Sequence, residues 1–205
     1  MKEQENIPRN KSIVPLVSIG LSALLIGIWS ATQLLQPQPL PETQAVTLIS
    51  APRALPEFTM VNKDGQETGP ELFQDKWSLV FMGFTSCGHV CPTKMVEMRM
   101  IHDEVEEPLQ VVFLSVDPNR DTPEAIKQYV EGFDSSFTGI TGDEAAIESF
   151  ANTVGAPYFV DTTPGKYVVD HSSALFVIGP DASLVGVVTP PLDINLIASD
   201  LNQLM

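Results

Sequence analysis

The sequence predicts an α/β domain with a central mixed sheet sandwiched between helical layers, carried on one N-terminal transmembrane helix. Three observations lead there. Two nearly continuous apolar runs, 77–84 and 109–116, are each followed by a segment of helical character; parallel strands buried on both faces and joined by helical crossovers read this way. A later pair of apolar runs flanks Gly179-Pro-Asp-Ala182, which adds an antiparallel hairpin. Residues 13–35 carry no charge.

That uncharged run is long enough to cross a bilayer core of about 30 Å, which takes roughly 20 helical residues. Lys2, Arg9 and Lys11 precede it, and the next positive charge is Arg53. This asymmetry predicts residues 1–12 in the cytoplasm and the body outside. A cleaved signal peptide would have a shorter apolar region and a small-x-small site; here Ser30-Ala31-Thr32 is a poor site, and no cysteine stands nearby to carry lipid. The expectation is an uncleaved single-pass anchor in a bacterial inner membrane, with a periplasmic C-terminal domain. Residues 36–56 hold prolines at 37, 39, 41, 52 and 56, a composition that predicts an extended, semi-stiff linker. The domain proper is expected over 57–205.

Within the body, residues 58–61 read as a strand entering a turn at Asn62–Gly65. The run 77–84 is the first central strand. Apolar positions 95, 98, 101 and 105 form one helical stripe over 93–105. The run 109–116 is the second buried strand. Thr122-Pro123 places a capping hydroxyl before a proline and starts a helix over about 123–133; Asp143 caps another through about Val154. Residues 167–169 and 174–178 are strands, 184–188 completes the hairpin, and 192–204 is a closing helix. The order is that of a thioredoxin-like three-layer sandwich, whose reactive loop follows a central strand.

Charge excludes one class of partner. From Gln36 onward 24 acidic residues stand against 8 basic ones, a net of −16, so nucleic acid, which binds through Lys and Arg, is not expected. Two cysteines cannot make a disulfide-rich scaffold, and a core of this size needs none.

The cysteines instead bear the chemistry. Cys87-Gly-His-Val-Cys91-Pro92 lies between a buried strand and a helix, where unpaired N–H groups and the helix dipole favour thiolate. A helical turn beginning there would put both sulfurs on one face. Two soft thiolates select Cu(I), Zn or an iron–sulfur cluster. A purely structural disulfide would close too small a loop to stabilise much, which leaves redox chemistry and metal binding open.

Over residues 58–190 the chain resembles the Sco/SenC family of copper chaperones for cytochrome c oxidase assembly. The matching residues are Phe84-Thr-Ser-Cys87-x-x-x-Cys91-Pro92, Ser115-Val-Asp117-Pro118, Arg120-Asp-Thr-Pro-Glu124, Thr141-Gly142 and Val169-Asp170-His171-Ser172. Gly88-His89 departs from the Pro-Asp of many members and adds an imidazole to the loop. The resemblance implies a metallochaperone rather than an enzyme, with one copper ion, Cu(I) or Cu(II), bound by Cys87, Cys91 and His171. When oxidised, Cys87 and Cys91 would form a redox disulfide. The implied acceptor is cytochrome c oxidase subunit II, with other periplasmic copper or thiol-redox proteins as further partners. Asp170 is a candidate to hold His171 in its ligating tautomer, and Asp117 to cap its turn or orient the site.

In a thioredoxin-like fold the loop before the strand at 174–178 faces the reactive cysteines, and oxidoreductases keep a cis-proline there. This chain has Asp170-His-Ser-Ser173 instead, which argues for metal over dithiol exchange. The rival reading is a thiol–disulfide oxidoreductase that reduces the acceptor's cysteines, or a redox or copper sensor. Against an oxidoreductase stands the four-residue offset in place of Cys-x-x-Cys. A thiol peroxidase lacks its threonine and proline, since Phe84 and Val80 precede Cys87 by three and seven residues. His89 reads as a solvated loop residue and His102 as a surface residue. Met95 and Met98 belong to the core stripe, and Met100 is not expected as a ligand.

Overall fold

The computed structural model describes residues 41–163 and 166–205, together with residues 20, 24–30 and 32. The anchor expected over 13–35 and the N-terminal part of the linker fall largely outside the described residues. Among the described residues, 24–30 are helical, and no helix is long and apolar enough to cross a membrane.

Among the described residues, ten strands and four α-helices make up the body. The strands are β1 (Thr47–Ala54), β2 (Met60–Asn62), β3 (Glu67–Thr68), β4 (Trp77–Gly83), β5 (Leu109–Ser115), β6 (Thr138–Gly142), β7 (Phe159–Asp161), β8 (Val168–Asp170), β9 (Leu175–Ile178) and β10 (Ser183–Val188). The helices are α1 (Val90–Glu104), α2 (Pro123–Glu131), α3 (Glu144–Val154) and α4 (Ile194–Leu204), with a 3-10 turn over Pro70–Phe73. Eight strands form one sheet in the order β1-β10-β9-β4-β5-β6-β2-β3, and β7 and β8 form a separate two-stranded ribbon. β4 runs parallel to β5, with Trp77 opposite Leu109 and Gly83 opposite Ser115, and antiparallel to β9 on its other side.

Strand periodicity sorts the core into two halves. Val80, Met82, Val112 and Leu114 point to the face covered by α3 through Ile147, Phe150 and Val154. Leu79, Phe81, Val111 and Phe113 point to the face covered by α1, α2 and α4. β4 and β5 are therefore apolar at nearly every position because both faces are covered. At Gly139 in β6 an added Cβ would lie 2.2 Å from Ile126 Cγ2, so the absence of a side chain lets α2 seat on the sheet.

The capping residues act as expected. Thr122 Oγ1 accepts from Ala125 N–H at 3.2 Å and Asp143 Oδ1 from Ala146 N–H at 2.7 Å. α3 ends at Gly155 with φ 74°, a left-handed terminus that glycine adopts readily.

Three features differ from the expectation. Residues 47–54, assigned by their prolines to the linker, are β1, paired antiparallel with β10. Proline is tolerated because β1 is an edge strand and Pro52 lies in its bulge, between the registered residues Leu48 and Arg53. β6 was not expected at all, since its sequence TGITG has neither the apolar content nor the alternation of a recognisable strand. The strand expected at 167–169 is β8, which pairs with β7 instead of joining the main sheet.

Candidate metal centre

The C-terminal end of β4 delivers the first cysteine. Gly83 ends the strand, Phe84 and Thr85 lead out, and Cys87 follows with its N–H bonded to the Phe84 carbonyl at 3.3 Å. α1 then begins at Val90, three residues earlier than its apolar stripe predicts, and takes Cys91 into its first turn. Pro92 is tolerated there because a first-turn nitrogen has no intrahelical acceptor. His89 precedes the helix but its side chain caps nothing. Instead Cys87 Sγ accepts the Cys91 N–H at 3.4 Å, so a sulfur sits where a capping oxygen usually does.

Space for the second sulfur is built into the strand. A Cβ on Gly83 would stand 3.1 Å from Cys91 Sγ and 3.0 Å from the Phe81 and Phe113 rings. Cys91 is fully buried and Cys87 half-buried.

The third group arrives from the other side. His171 follows β8 directly, and its Nε2 lies 3.5 Å from Cys91 Sγ, 80 residues away in sequence. Nδ1 lies 2.9 Å from the Ser172 carbonyl; a carbonyl only accepts, so Nδ1 carries the proton and Nε2 is left with a free lone pair facing the thiols. Phe81 and Phe84 meet the imidazole edge-on, each with ring centres 5.7 Å away. Cys87, Cys91 and His171 each offer one ligand atom, and all three atoms lie within 4.8 Å of one another. Metal bonds of about 2.0–2.3 Å would set three such atoms about 3.7 Å apart in a plane, so a contraction of about 1 Å would let them enclose one ion. Two sulfurs and an imidazole nitrogen suit a soft or borderline metal.

The two thiols differ in acidity. Burial opposes ionisation of Cys87, but hydrogen bonds from the Cys91 thiol and from the Cys91, His89 and Val90 N–H groups together outweigh it and hold its pKa below the ordinary thiol value. Burial pushes Cys91 up to about 12, reinforced by the neighbouring Cys87 and the charge of Asp121. Cys87 is the nucleophilic, accessible sulfur; Cys91 is its protonated partner.

The remaining candidates separate. Asp170 is exposed at the end of β8, and the bond that fixes the His171 tautomer comes from Ser172, not from Asp170: adjacent residues on an extended strand point to opposite sides. Asp117 is fully buried; its carboxylate accepts from Tyr167 Oη and Arg120 Nε. It therefore holds the chain leading to His171 and touches no thiol. His89 is exposed and stands outside the three-residue group. Met95 and Met98 are fully buried in the core, and Met100 is exposed. His102, expected at the surface, is half-buried with its ring 5.7 Å from that of Phe137.

Sequence reasoning missed Asp121. Its buried carboxylate accepts from Thr85 N–H at 2.8 Å, Thr85 Oγ1 at 2.6 Å and Ser115 Oγ at 2.6 Å, tying the cysteine loop to β5. Asp121 stands in the Arg120–Glu124 run that carries the resemblance, but the run does not show what its carboxylate holds, because those partners depend on the turn's conformation.

The SCO1/SenC family model matches residues 47–205. A Stutzerimonas stutzeri protein provisionally named for copper binding is 34% identical over 165 residues, covering 78% of this chain and 81% of that protein. The chain spans 40% and 45% of the length of its Arabidopsis thaliana and Homo sapiens mitochondrial SCO1 relatives. Among solved structures, apo Sco1 from Thermus thermophilus is 32% identical with a TM-score of 0.71, covering 82% of this chain and 100% of that one. ScoI from Bradyrhizobium japonicum, solved with copper bound, is 27% identical with a TM-score of 0.66, covering 74% and 99%. Since the family match begins with β1 and runs through α4, the chain belongs to the SCO1/SenC family.

Proposed function

We propose that the chain is a copper metallochaperone, anchored in a bacterial inner membrane by one N-terminal helix, which delivers copper from its periplasmic body to the copper centre of cytochrome c oxidase subunit II. Cys87, Cys91 and His171 are the ligands. The observation that carries this reading is the convergence of those three donor atoms within 4.8 Å, with the lone pair of Nε2 directed at the thiols. The copper-bound Bradyrhizobium relative supports the choice of metal, and the uncharged run at 13–35, with Lys2, Arg9 and Lys11 just ahead of it and no positive charge after it until Arg53, supports the address.

The geometry suits transfer. Three ligands leave one side of the ion open, so an acceptor's thiolate can approach before a donor leaves. Cys87, half-buried and the more acidic sulfur, is the ligand that exchanges first, while Cys91, buried in the first turn of α1, releases last. The acidic body favours acceptors with a complementary basic rim.

A second reading, thiol–disulfide reduction of the acceptor's cysteines, is favoured by one observation: an accessible acidic thiol beside a buried protonated one is the arrangement a redox pair uses.

Anaerobic titration of the reduced full chain in detergent, against a chromophoric Cu(I) chelator, separates the two. Metallochaperone action predicts one Cu(I) bound, with affinity lowered by His171→Ala by at least the about 10- to 100-fold that loss of a ligand's outer-sphere partner costs, and lost in the Cys87→Ser/Cys91→Ser double variant. Unchanged affinity in His171→Ala, with disulfide reductase turnover intact, would favour reduction instead.

A further inference from the structure

The two ligand-bearing loops meet over a single turn, which is braced in both directions. After β5 the chain folds back on itself, and the N–H groups of Arg120 and Asp121 bond the Asp117 carbonyl at 3.1 and 3.0 Å. Asp121 reaches toward the cysteines and holds Thr85 through both its N–H and its hydroxyl. Asp117 reaches the opposite way. With no exposed side-chain surface, it accepts from the Tyr167 hydroxyl, four residues before His171, and pairs with Arg120. The Arg120 guanidinium carbon lies 3.8 Å from the Tyr167 ring centre and 5.7 Å from that of Phe84, and Phe84 in turn flanks the His171 imidazole.

We propose that Asp117, Arg120 and Tyr167 form a latch that sets where His171 stands relative to the two thiols. All three are positioning residues; none is a ligand. The use of the latch rests on the copper reading above, whereas the latch itself is a property of the metal-free protein.

The need for it follows from the fold. His171 hangs from the β7–β8 ribbon, whose strands are three residues each and which shares no ladder with the main sheet. A two-stranded hairpin is marginal by itself, so its position must be fixed by side chains. One face rests on the core through Val169, with Tyr158 packed there just before β7, while Phe159 and Val168 on the other are exposed. Apolar contact on one face alone leaves the ribbon free to pivot. Tyr167 removes that freedom, because its hydroxyl ends on a buried carboxylate and its ring is stacked under a cation held by the same carboxylate. A site built from donors on separate loops must be held to about 0.5 Å to bind as a unit, and the latch lies immediately before the donor whose loop is least supported.

The test uses the full chain in detergent, reduced, with Tyr167→Phe and Arg120→Lys. Tyr167→Phe keeps the ring and leaves Asp117 paired with Arg120, so it decides alone should Arg120→Lys not fold. Two quantities are read: amide exchange over residues 166–172 without metal, and the imidazole scattering signature in the copper K-edge X-ray absorption of the Cu(I)-loaded protein. We expect exchange at 166–172 to accelerate at least tenfold with α1 and β4 unchanged, and the imidazole signature to fall by half or more. Unchanged exchange overturns the latch. Faster exchange with a full imidazole signature overturns its role in placing His171. Wild-type protein that takes up no copper refutes the function proposed above, and the exchange measurement then still decides the latch.

Discussion

At the scale of the residue, the thiols govern how binding responds to pH. Copper bound at the proposed site would be held by thiolates, so uptake must expel any proton still present. Cys91, pushed to about 12 by burial, keeps its proton throughout the neutral range, whereas Cys87, with its pKa lowered, is the more readily ionised of the two. The sign is therefore fixed: raising the pH lowers the competition from protons, and apparent affinity should rise about tenfold per pH unit for each proton displaced. Between pH 6 and 8 binding releases one full proton from Cys91, and the lowered pKa of Cys87 makes its share the smaller of the two. Competition titrations at pH 6, 7 and 8, with proton release followed by calorimetry in buffers of different ionisation enthalpy, check this; a pH-independent affinity would contradict it. Gly83 is the other residue of consequence. Gly83→Ala places a methyl 3.1 Å from Cys91 Sγ and 3.0 Å from two rings, which should cost about 1–3 kcal/mol of stability and displace the sulfur. Chemical denaturation and a copper titration on the same variant would measure both. The convergence of Cys87, Cys91 and His171 was legible beforehand because the cysteine spacing and the resemblance carried by the Asp-His-Ser run both pointed to those residues. The role of Gly83 was not, since a glycine ending a strand looks the same whether it makes room for a sulfur or for nothing.

At the scale of the element, legibility followed burial. β4 and β5 stood out in the sequence because two covered faces demand continuous apolar residues, and α2 and α3 because Thr122 and Asp143 cap them in the usual way. β6 and the β7–β8 ribbon were harder: TGITG and the short strands flanking residues 162–167 are shaped by pairing partners that lie far away in sequence. The turn after β5 shows the same limit. Asp117 was expected to cap its turn or orient the site and Asp121 was given no role, yet both are buried and each fastens a different loop. Asp121→Asn tests the cysteine side of that turn. An amide presents one acceptor where a carboxylate had two, and turns a donor toward Thr85 or Ser115, which should destabilise by about 2 kcal/mol. Removal of the charge also withdraws one of the influences that raise Cys91, so its thiol should titrate at a lower pH than in wild type. Equilibrium denaturation and thiolate absorbance near 240 nm against pH would record the two effects, and an upward shift of the Cys91 titration would contradict the assignment.

At the scale of the whole molecule, the N-terminal boundary of the body is set by a contact that composition concealed. Prolines at 52 and 56 suggested that folding began near residue 57, but Val46 is buried and β1 covers the edge of the sheet along β10. The segment just before β1 is fastened to the last helix: Asp200 in α4, itself buried, accepts the N–H groups of Gln44 at 2.9 Å, Ala45 at 2.7 Å and Val46 at 2.8 Å. The N-terminal edge and the C-terminal helix are thus closed onto each other by one carboxylate. A chain beginning at residue 57 would lose β1, bare the edge of β10 and strand Asp200 without partners. An unpaired edge invites association between copies, and a buried carboxylate stripped of its donors costs several kcal/mol. Such a chain should melt well below one beginning at residue 41 and should aggregate on concentration, whereas the longer chain should remain monodisperse. Asp200→Ala in the longer chain isolates the carboxylate, with an expected loss of about 3 kcal/mol and faster amide exchange at residues 44–46. Thermal melts, light scattering and exchange on these three proteins decide it: equal stability of the chains starting at 41 and 57 would mean that β1 is an ornament of the sheet, and the spacer would then extend to residue 56 after all.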